Sequence, residues 1–254
     1  MVQTAEILHE ERADTRLRLA RLAEIGRPIF EQTALVQERE FREDDVSRVG
    51  EFFEKYKQDP HPQLLSSYWE HIDLAGRFAR IFGKRLQSKG LQVNPHELEA
   101  LSMIHDIGRL ISPHRYFRTN LVGESLLLRL GVREDVRRKQ VPEKQLFGRG
   151  GNITNINQLT LGQQVLLFAD NMGRKTEDGN LIRFDQLGDL IEQQTRQYQG
   201  RVFASERFGI ERQVATDKKI ILIMNDIKQR LQDQYGIRID EVREEVSRSK
   251  APVV

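Results

Sequence analysis

A chain of 254 residues, 38% hydrophobic and 31% charged, can bury one substantial core or a core domain with helical extensions. Its net charge of +2, from 40 Lys and Arg against 38 Asp and Glu, does not favour a nucleic-acid partner. Because the chain has no cysteine, disulfides and thiolate metal sites are excluded, and any metal needs His, carboxylate and water as ligands.

Apolar residues recur at helical spacing along nearly the whole chain, and no stretch alternates as a strand would. The first helix is expected over residues 5–24, with Gly26 and Pro28 breaking the pattern after it. Residues 139–159 are polar and contain glycines, so we expect a loop there. The other predicted helices are about 44–57, 63–87, one that begins at Pro95, 120–130 closed by Gly131, one from Thr160 to near Gly173, about 186–199, about 217–235 and 241–248. This pattern predicts an all-α fold.

Two helix starts are marked by capping residues. Asn94 can cap the helix that begins at Pro95, and Glu97 completes a pattern similar to a capping box. Thr160 and Gln163 have the spacing of a second capping box. These two helices are of interest because each carries a polar residue on its apolar face.

Histidines occupy inward positions on two of the predicted helices. His71 lies three residues after Tyr68 and four before Ala75, on the apolar stripe of its helix. His105 lies four residues after Leu101, so it also faces inward. A neutral imidazole among apolar side chains is costly unless it finds a partner, which makes both residues candidate ligands.

Two carboxylates complete the set. Asp106 follows His105 directly, and Asp170 follows an apolar run on a later helix. Neighbouring residues of a helix point about 100° apart, so this His-Asp pair can share one ion only if the ion lies between their two directions. Two imidazoles and two carboxylates suit one divalent transition metal ion, Mn, Fe, Co, Ni or Zn. The alternative for Asp170 is a salt bridge at the helix end with Arg174 or Lys175.

The order H…HD…D resembles the HD-domain phosphohydrolase superfamily over roughly residues 63–176. The matching residues are His71, the His105–Asp106 pair within Met-Ile-His-Asp-Ile-Gly, and Asp170 within Leu-Leu-Phe-Ala-Asp-Asn-Met. The resemblance implies a helical bundle in which these four residues bind one or two metal ions. It also implies hydrolysis of phosphoesters, often those of nucleotides.

The resemblance also suggests three parts of the chain. Residues 1–62 would form an N-terminal helical extension, and residues 63–180 the HD-type metal-binding core. Residues 181–254 would form a C-terminal helical extension packed on that core.

Some family features are missing from this sequence. Two-metal members have further histidines between the His-Asp pair and the last Asp, whereas here only His114 lies in that interval. Asn120 stands where many relatives have a histidine. The segment Ile107–Leu110 lacks the Glu-Asp pair of alarmone hydrolases. A site with one metal ion is therefore expected, and no single branch of the family is selected.

Basic residues near the motif are candidates for substrate binding. Arg109 lies four residues after His105, near the same helix face, and could hold a phosphate through two hydrogen bonds. His114, Arg118 and Lys175 are further candidates for the pocket mouth. For each of the four, a solvated surface charge is the alternative.

These observations favour a metal-dependent phosphohydrolase that acts on a small phosphorylated substrate, such as a nucleotide, through a metal-activated water. Asp106 and Arg109 are its candidate catalytic residues. The alternative is a noncatalytic signalling or protein-interaction module that retains the metal site. Nucleic-acid binding or cleavage is a third option, disfavoured by the balanced charge.

The segment Met1–Glu6 has no apolar signal core, and no stretch approaches the roughly 20 apolar residues of a membrane span. We therefore expect a cytoplasmic protein without a membrane partner. Whether identical chains assemble into an oligomer is left open by the sequence.

Overall fold

The computed structural model describes residues 2–57, 66–111, 116–140, 156–202 and 207–249. Within these ranges the chain forms helices joined by turns and short 3₁₀ segments, and one isolated antiparallel bridge joins Lys175 and Leu181. No strand occurs in the same ranges, so the predicted all-α fold is confirmed. A search of the described helices for one with the length and apolar character of a membrane span finds none.

The helices are bounded as follows: α1 Val2–Phe30, α2 Glu43–Lys57, α3 Ser66–Ser88, α4 Pro95–Ile104, α5 Tyr116–Arg129, α6 Glu134–Lys139, α7 Leu161–Met172, α8 Leu187–Val202, α9 Arg207–Tyr235 and α10 Ile239–Arg248. Short 3₁₀ segments lie at Ile107–Leu110, Ile156–Gln158 and Phe184–Gln186. Most of the predicted loop at 139–159 lies outside the described residues.

Both predicted capping residues begin a helix in the structure. The Asn94 side chain accepts hydrogen bonds from the backbone of His96 and Glu97 and caps α4. Glu97 does not return a bond to Asn94; its carboxylate pairs with Lys139. Thr160 and Gln163 form the complete reciprocal capping box of α7, as the sequence predicts.

The predicted end of the first helix at Gly26 is wrong. Helix α1 continues through Gly26 and Pro28 to Phe30. A Cβ at Gly26 would lie 2.5 Å from the Leu130 side chain and 2.8 Å from that of Phe52, so glycine allows close packing here. Pro28 falls in the last turn of α1, so the backbone hydrogen bond that proline cannot make is lost only two residues before the helix ends.

Helix α3 organises the centre of the molecule, because α4, α7 and α10 all pack against it. Phe78 and Phe82 are fully buried on α3, and the ring of Phe82 meets that of Phe168 from α7 edge to face. Helix α2 packs on α4, and α1 packs on α2 and α5. The three helices that carry the candidate ligands therefore share one core.

The C-terminal helix is anchored on the outer side of α3. The Arg77 guanidinium donates to the carbonyls of Val246 (3.0 Å) and Ser249 (2.7 Å), at the end of α10. Arg85 forms ion pairs with Glu241 at 3.0 Å and Glu245 at 2.9 Å. Helix α10 thus packs on α3, whereas the division of the chain at residues 62 and 180 into two extensions and a core stays a prediction.

One carboxyl group in the core is expected to make stability depend on pH. Glu99 of α4 is 2% exposed, and its Oε2 lies 3.6 Å from Nε of Arg80 without a hydrogen bond. Burial raises the pKa of Glu99 to about 7, because Arg80 and Lys84 only partly offset the loss of hydration. The unfolded chain then binds fewer protons than the native protein between the unfolded and native pKa values.

We therefore expect the free energy of unfolding to fall as pH rises from about 4.5 to 7, by up to roughly 3 kcal/mol from this group. The variant Glu99→Gln should lose this part of the pH dependence. Urea unfolding of the wild type and Glu99→Gln across this pH range measures the free energy of unfolding of each. The control is Glu244→Gln, at an exposed position of α10. Parallel pH profiles for the wild type and Glu99→Gln would contradict the expectation.

Candidate metal centre

The sequence pattern predicts that His105 and Asp106 lie within a helix. In the structure the pair lies just after the end of one. Helix α4 ends at Ile104, His105 is its C-cap, and Asp106 lies in the turn that precedes the 3₁₀ segment Ile107–Leu110. Asp106 has φ −102° and ψ 17°, outside the helical region. The turn changes the direction of the chain between the two residues, so both side chains can face one centre.

Three helices bring their polar side chains to one point, as the sequence predicts. Nε2 of His71 lies 3.1 Å from Oδ1 of Asp170, and Nε2 of His105 lies 3.0 Å from the same oxygen. The two Nε2 atoms are 3.4 Å apart. Helices α3, α4 and α7 thus contribute the corners of a small triangle of potential ligand atoms.

Asp106 lies at the edge of this triangle. Its Oδ2 is 3.5 Å from Nε2 of His105, and His71, His105 and Asp106 each offer a ligand atom within 4.8 Å of the others. The four side chains, those of His71, His105, Asp106 and Asp170, are between 14% and 17% exposed. The cluster is therefore largely withdrawn from water without being sealed.

Backbone carbonyls determine which ring nitrogens face the centre. Nδ1 of His71 donates to the carbonyl of Gly173 at 2.8 Å, and Nδ1 of His105 donates to that of Ser102 at 2.5 Å. Because a carbonyl can only accept, each Nδ1 carries hydrogen, and the neutral form of each ring directs a lone pair from Nε2 toward Asp170. Such partners are typical of histidines that bind metals.

Three electron-rich atoms at these distances require positive charge between them. Burial alone would lower the pKa of His105, but the Asp170 and Asp106 carboxylates outweigh it and raise the pKa to about 9. Burial opposes ionisation of Asp170, yet His105 and His71 hold the pKa of this carboxyl well below its usual value. Without an ion, a proton on His105 supplies the charge, and a divalent cation could replace it.

The distances agree with a metal site. Ligand atoms bound about 2.0–2.2 Å from one ion in tetrahedral or octahedral geometry are about 2.9–3.5 Å from one another. The three separations between His71, His105 and Asp170 fall in that interval, at 3.0, 3.1 and 3.4 Å. Imidazole and carboxylate donors without sulfur suit a divalent transition metal.

Arg109 and Tyr68 hold Asp106 from two sides. Nε of Arg109 lies 2.7 Å from Oδ2 of Asp106, and the Tyr68 hydroxyl donates to the Asp106 carbonyl at 3.1 Å. Burial, reinforced by the Asp106 charge, raises the pKa of Tyr68 well above its usual value, so its hydroxyl stays a donor. The Asp106 side chain and backbone are thereby both oriented.

Gly173 permits a close approach between α3 and the end of α7. A Cβ at this position would lie 2.8 Å from the Ala75 nitrogen and 3.0 Å from its Cα. Only glycine leaves room for this approach, which carries the Gly173 carbonyl to His71 and places Asp170 one turn earlier. Gly173 was interpreted from the sequence only as the end of a helix.

The other predicted site residues have different positions. Lys175 forms an ion pair with Glu70, the neighbour of His71. His114 lies outside the described residues, as does the side chain of Arg118. Their substrate-binding roles, and that of Lys175, stay predictions.

Sequence reasoning missed the residues that support the ligands. Ser102 and Gly173 act through backbone carbonyls, which no residue pattern reveals. The role of Tyr68 could have been predicted, because its polar hydroxyl lies on the apolar stripe of α3, three residues before His71, and needs a hydrogen-bond partner there. No protein-family model, curated protein or solved structure matches the chain.

Proposed function

We propose that this protein is a metal-dependent phosphohydrolase of the HD type that acts on a nucleotide or another small phosphoester. The observation that carries the proposal is the triangle formed by Nε2 of His71, Nε2 of His105 and Oδ1 of Asp170. Both Nδ1 atoms are occupied by carbonyls, so both rings offer the same nitrogen to one centre. A divalent cation at that centre would replace the proton that His105 otherwise carries.

His71, His105, Asp106 and Asp170 are the proposed ligands. A divalent ion held there lowers the pKa of water and polarises a phosphoryl oxygen, the two requirements for hydrolysis of a phosphoester. Partial burial of the cluster strengthens each electrostatic interaction within it. Two neutral imidazoles and two carboxylates have a total charge of −2, so one bound divalent ion would make the site neutral.

Arg109 is the proposed phosphate-binding residue. Its Nε contact with Asp106 directs the guanidinium along the edge of the cluster, where a substrate phosphate would lie. A guanidinium placed there can neutralise charge that develops on the phosphoryl oxygens during the reaction. Asp106 would thus have two roles, as a ligand and as the group that orients Arg109.

Metal analysis combined with a phosphoester panel tests the function. The purified protein should contain about one transition metal ion per chain. It should release phosphate from at least one phosphomonoester, nucleotide or phosphodiester when Mn²⁺, Co²⁺ or Ni²⁺ is added. The variant Asp106→Ala should lose this turnover while its circular dichroism spectrum is unchanged, and Asp185→Ala, an exposed carboxylate, is the control.

The alternative is a noncatalytic module that retains the metal site. A bound ion without hydrolysis of any ester would favour that reading. Turnover that survives both a chelator and Asp106→Ala would contradict the proposed mechanism.

A further inference from the structure

A small cavity lies between α4 and α7, beside the ligand cluster. Its volume is about 10 Å³, close to the space that one water molecule needs. Leu101, Leu166 and Leu167 form its apolar walls, and Ser102 and Gln140 add polar groups. Gln140 is the C-cap residue of α6, so the chain that follows a third helix also lines this space.

The polar groups of the cavity lack protein partners. Ser102 is 2% exposed, and neither its Oγ nor Nε2 of Gln140 has a hydrogen-bond partner among the described residues. A helical serine often donates to the carbonyl four residues earlier, here that of Leu98, but no such bond forms. Two unpartnered buried polar atoms, on residues that line one water-sized space, indicate a bound water molecule.

The cavity also reaches the proposed metal ligands. His105 and Asp170 line it together with Ser102 and Gln140. Asp170 directs Oδ1 to both imidazoles. A water in the cavity can accept from Nε2 of Gln140 and donate to the Asp170 carboxylate, while Ser102 completes its hydrogen bonds.

We propose that this cavity holds one ordered water molecule that joins Ser102 and Gln140 to Asp170. Ser102 and Gln140 are then positioning residues, since the water limits rotation of the carboxylate that the two histidines share. Its effect on metal binding rests on the proposed function, whereas the presence of the water does not.

A high-resolution crystal structure of the full chain, with and without Mn²⁺, tests the water directly. We expect density for one water within hydrogen-bond distance of Ser102 Oγ and Gln140 Nε2 in both crystals. An empty cavity, or a Ser102 hydroxyl that donates to the Leu98 carbonyl instead, would overturn the proposal. This result does not depend on whether the protein hydrolyses any ester.

The positioning role is tested by Mn²⁺ titration in a calorimeter. Ser102→Ala and Gln140→Leu should each weaken Mn²⁺ binding about tenfold, the lower end of the range for groups that support ligands. Ser88→Ala, at an exposed position where the hydroxyl bonds only to the Arg85 carbonyl, should bind as the wild type does. Unchanged affinity in both cavity variants would overturn the role. A wild-type protein that binds no Mn²⁺ would instead count against the proposed function. The electron density in the cavity would still show whether the water is present.

Discussion

Replacing Asp170 by asparagine is expected to weaken binding of Mn²⁺ or Zn²⁺ by at least about a hundredfold. The loss should exceed the 10–100-fold typical of residues that only support ligands, because Oδ1 of Asp170 is the corner shared by both imidazoles. An amide oxygen has the same shape but no full negative charge. Calorimetric titration, or dialysis followed by elemental analysis, measures the change.

The matched control is Asp185→Asn, which removes an exposed carboxylate paired with Arg183, outside the cluster. It should bind metal as the wild type does. His105 supplies a second readout. Because the Asp170 carboxylate raises the pKa of His105, this pKa should be lower in the Asp170→Asn protein. An Asp170→Asn protein with wild-type metal affinity would show that the three atoms do not form a metal site.

Replacing Gly173 by alanine is expected to weaken metal binding 10–100-fold without touching a proposed ligand. The added Cβ would meet the Ala75 backbone at 2.8 Å, so the end of α7 must move away from α3. The carbonyl that orients His71 moves with it, and Asp170 lies in the preceding turn. Overpacking of this kind should also lower the free energy of unfolding by about 1–3 kcal/mol.

The expected effect is steric and does not come from a left-handed backbone, because Gly173 has φ −71°. The steric effect can therefore be tested against Gly162→Ala, near the other end of α7. There a Cβ would make only an ordinary contact, 3.6 Å from Leu98. We expect Gly162→Ala to keep wild-type affinity and to be at least as stable, since alanine favours helix. Equal metal affinity in the two variants would contradict the role given to Gly173.

The candidate ligands could be found from the sequence because of where polar groups stand in an apolar pattern. His71 and His105 interrupt helical stripes, and Asp170 ends an apolar run, so each needed a partner inside the fold. The pattern identifies groups that need partners, but gives no distances. It also predicts that the His-Asp pair lies within a helix, whereas the pair lies at a turn after α4.

The length of the first helix could not be predicted in the same way. Gly26 and Pro28 are reliable signals of a helix end when local preference decides. Here Phe52 and Leu130 pack against the Gly26 position, and this tertiary contact favours continuation of the helix to Phe30. Local propensity is weak beside such packing.

Helical periodicity, the capping residues Asn94 and Thr160, and polar residues within or directly after an apolar pattern are all properties of short segments of chain. They follow from the spacing of neighbours along a helix, so the all-α fold and a set of candidate ligands were accessible from residue order. The contacts that support these candidate ligands were not, because they join residues far apart in the chain: the Gly173 carbonyl reaches His71, and Gln140 and Ser102 line the same cavity. Such contacts depend on how closely α3, α4 and α7 pack, and a distance between helices has no counterpart in local sequence.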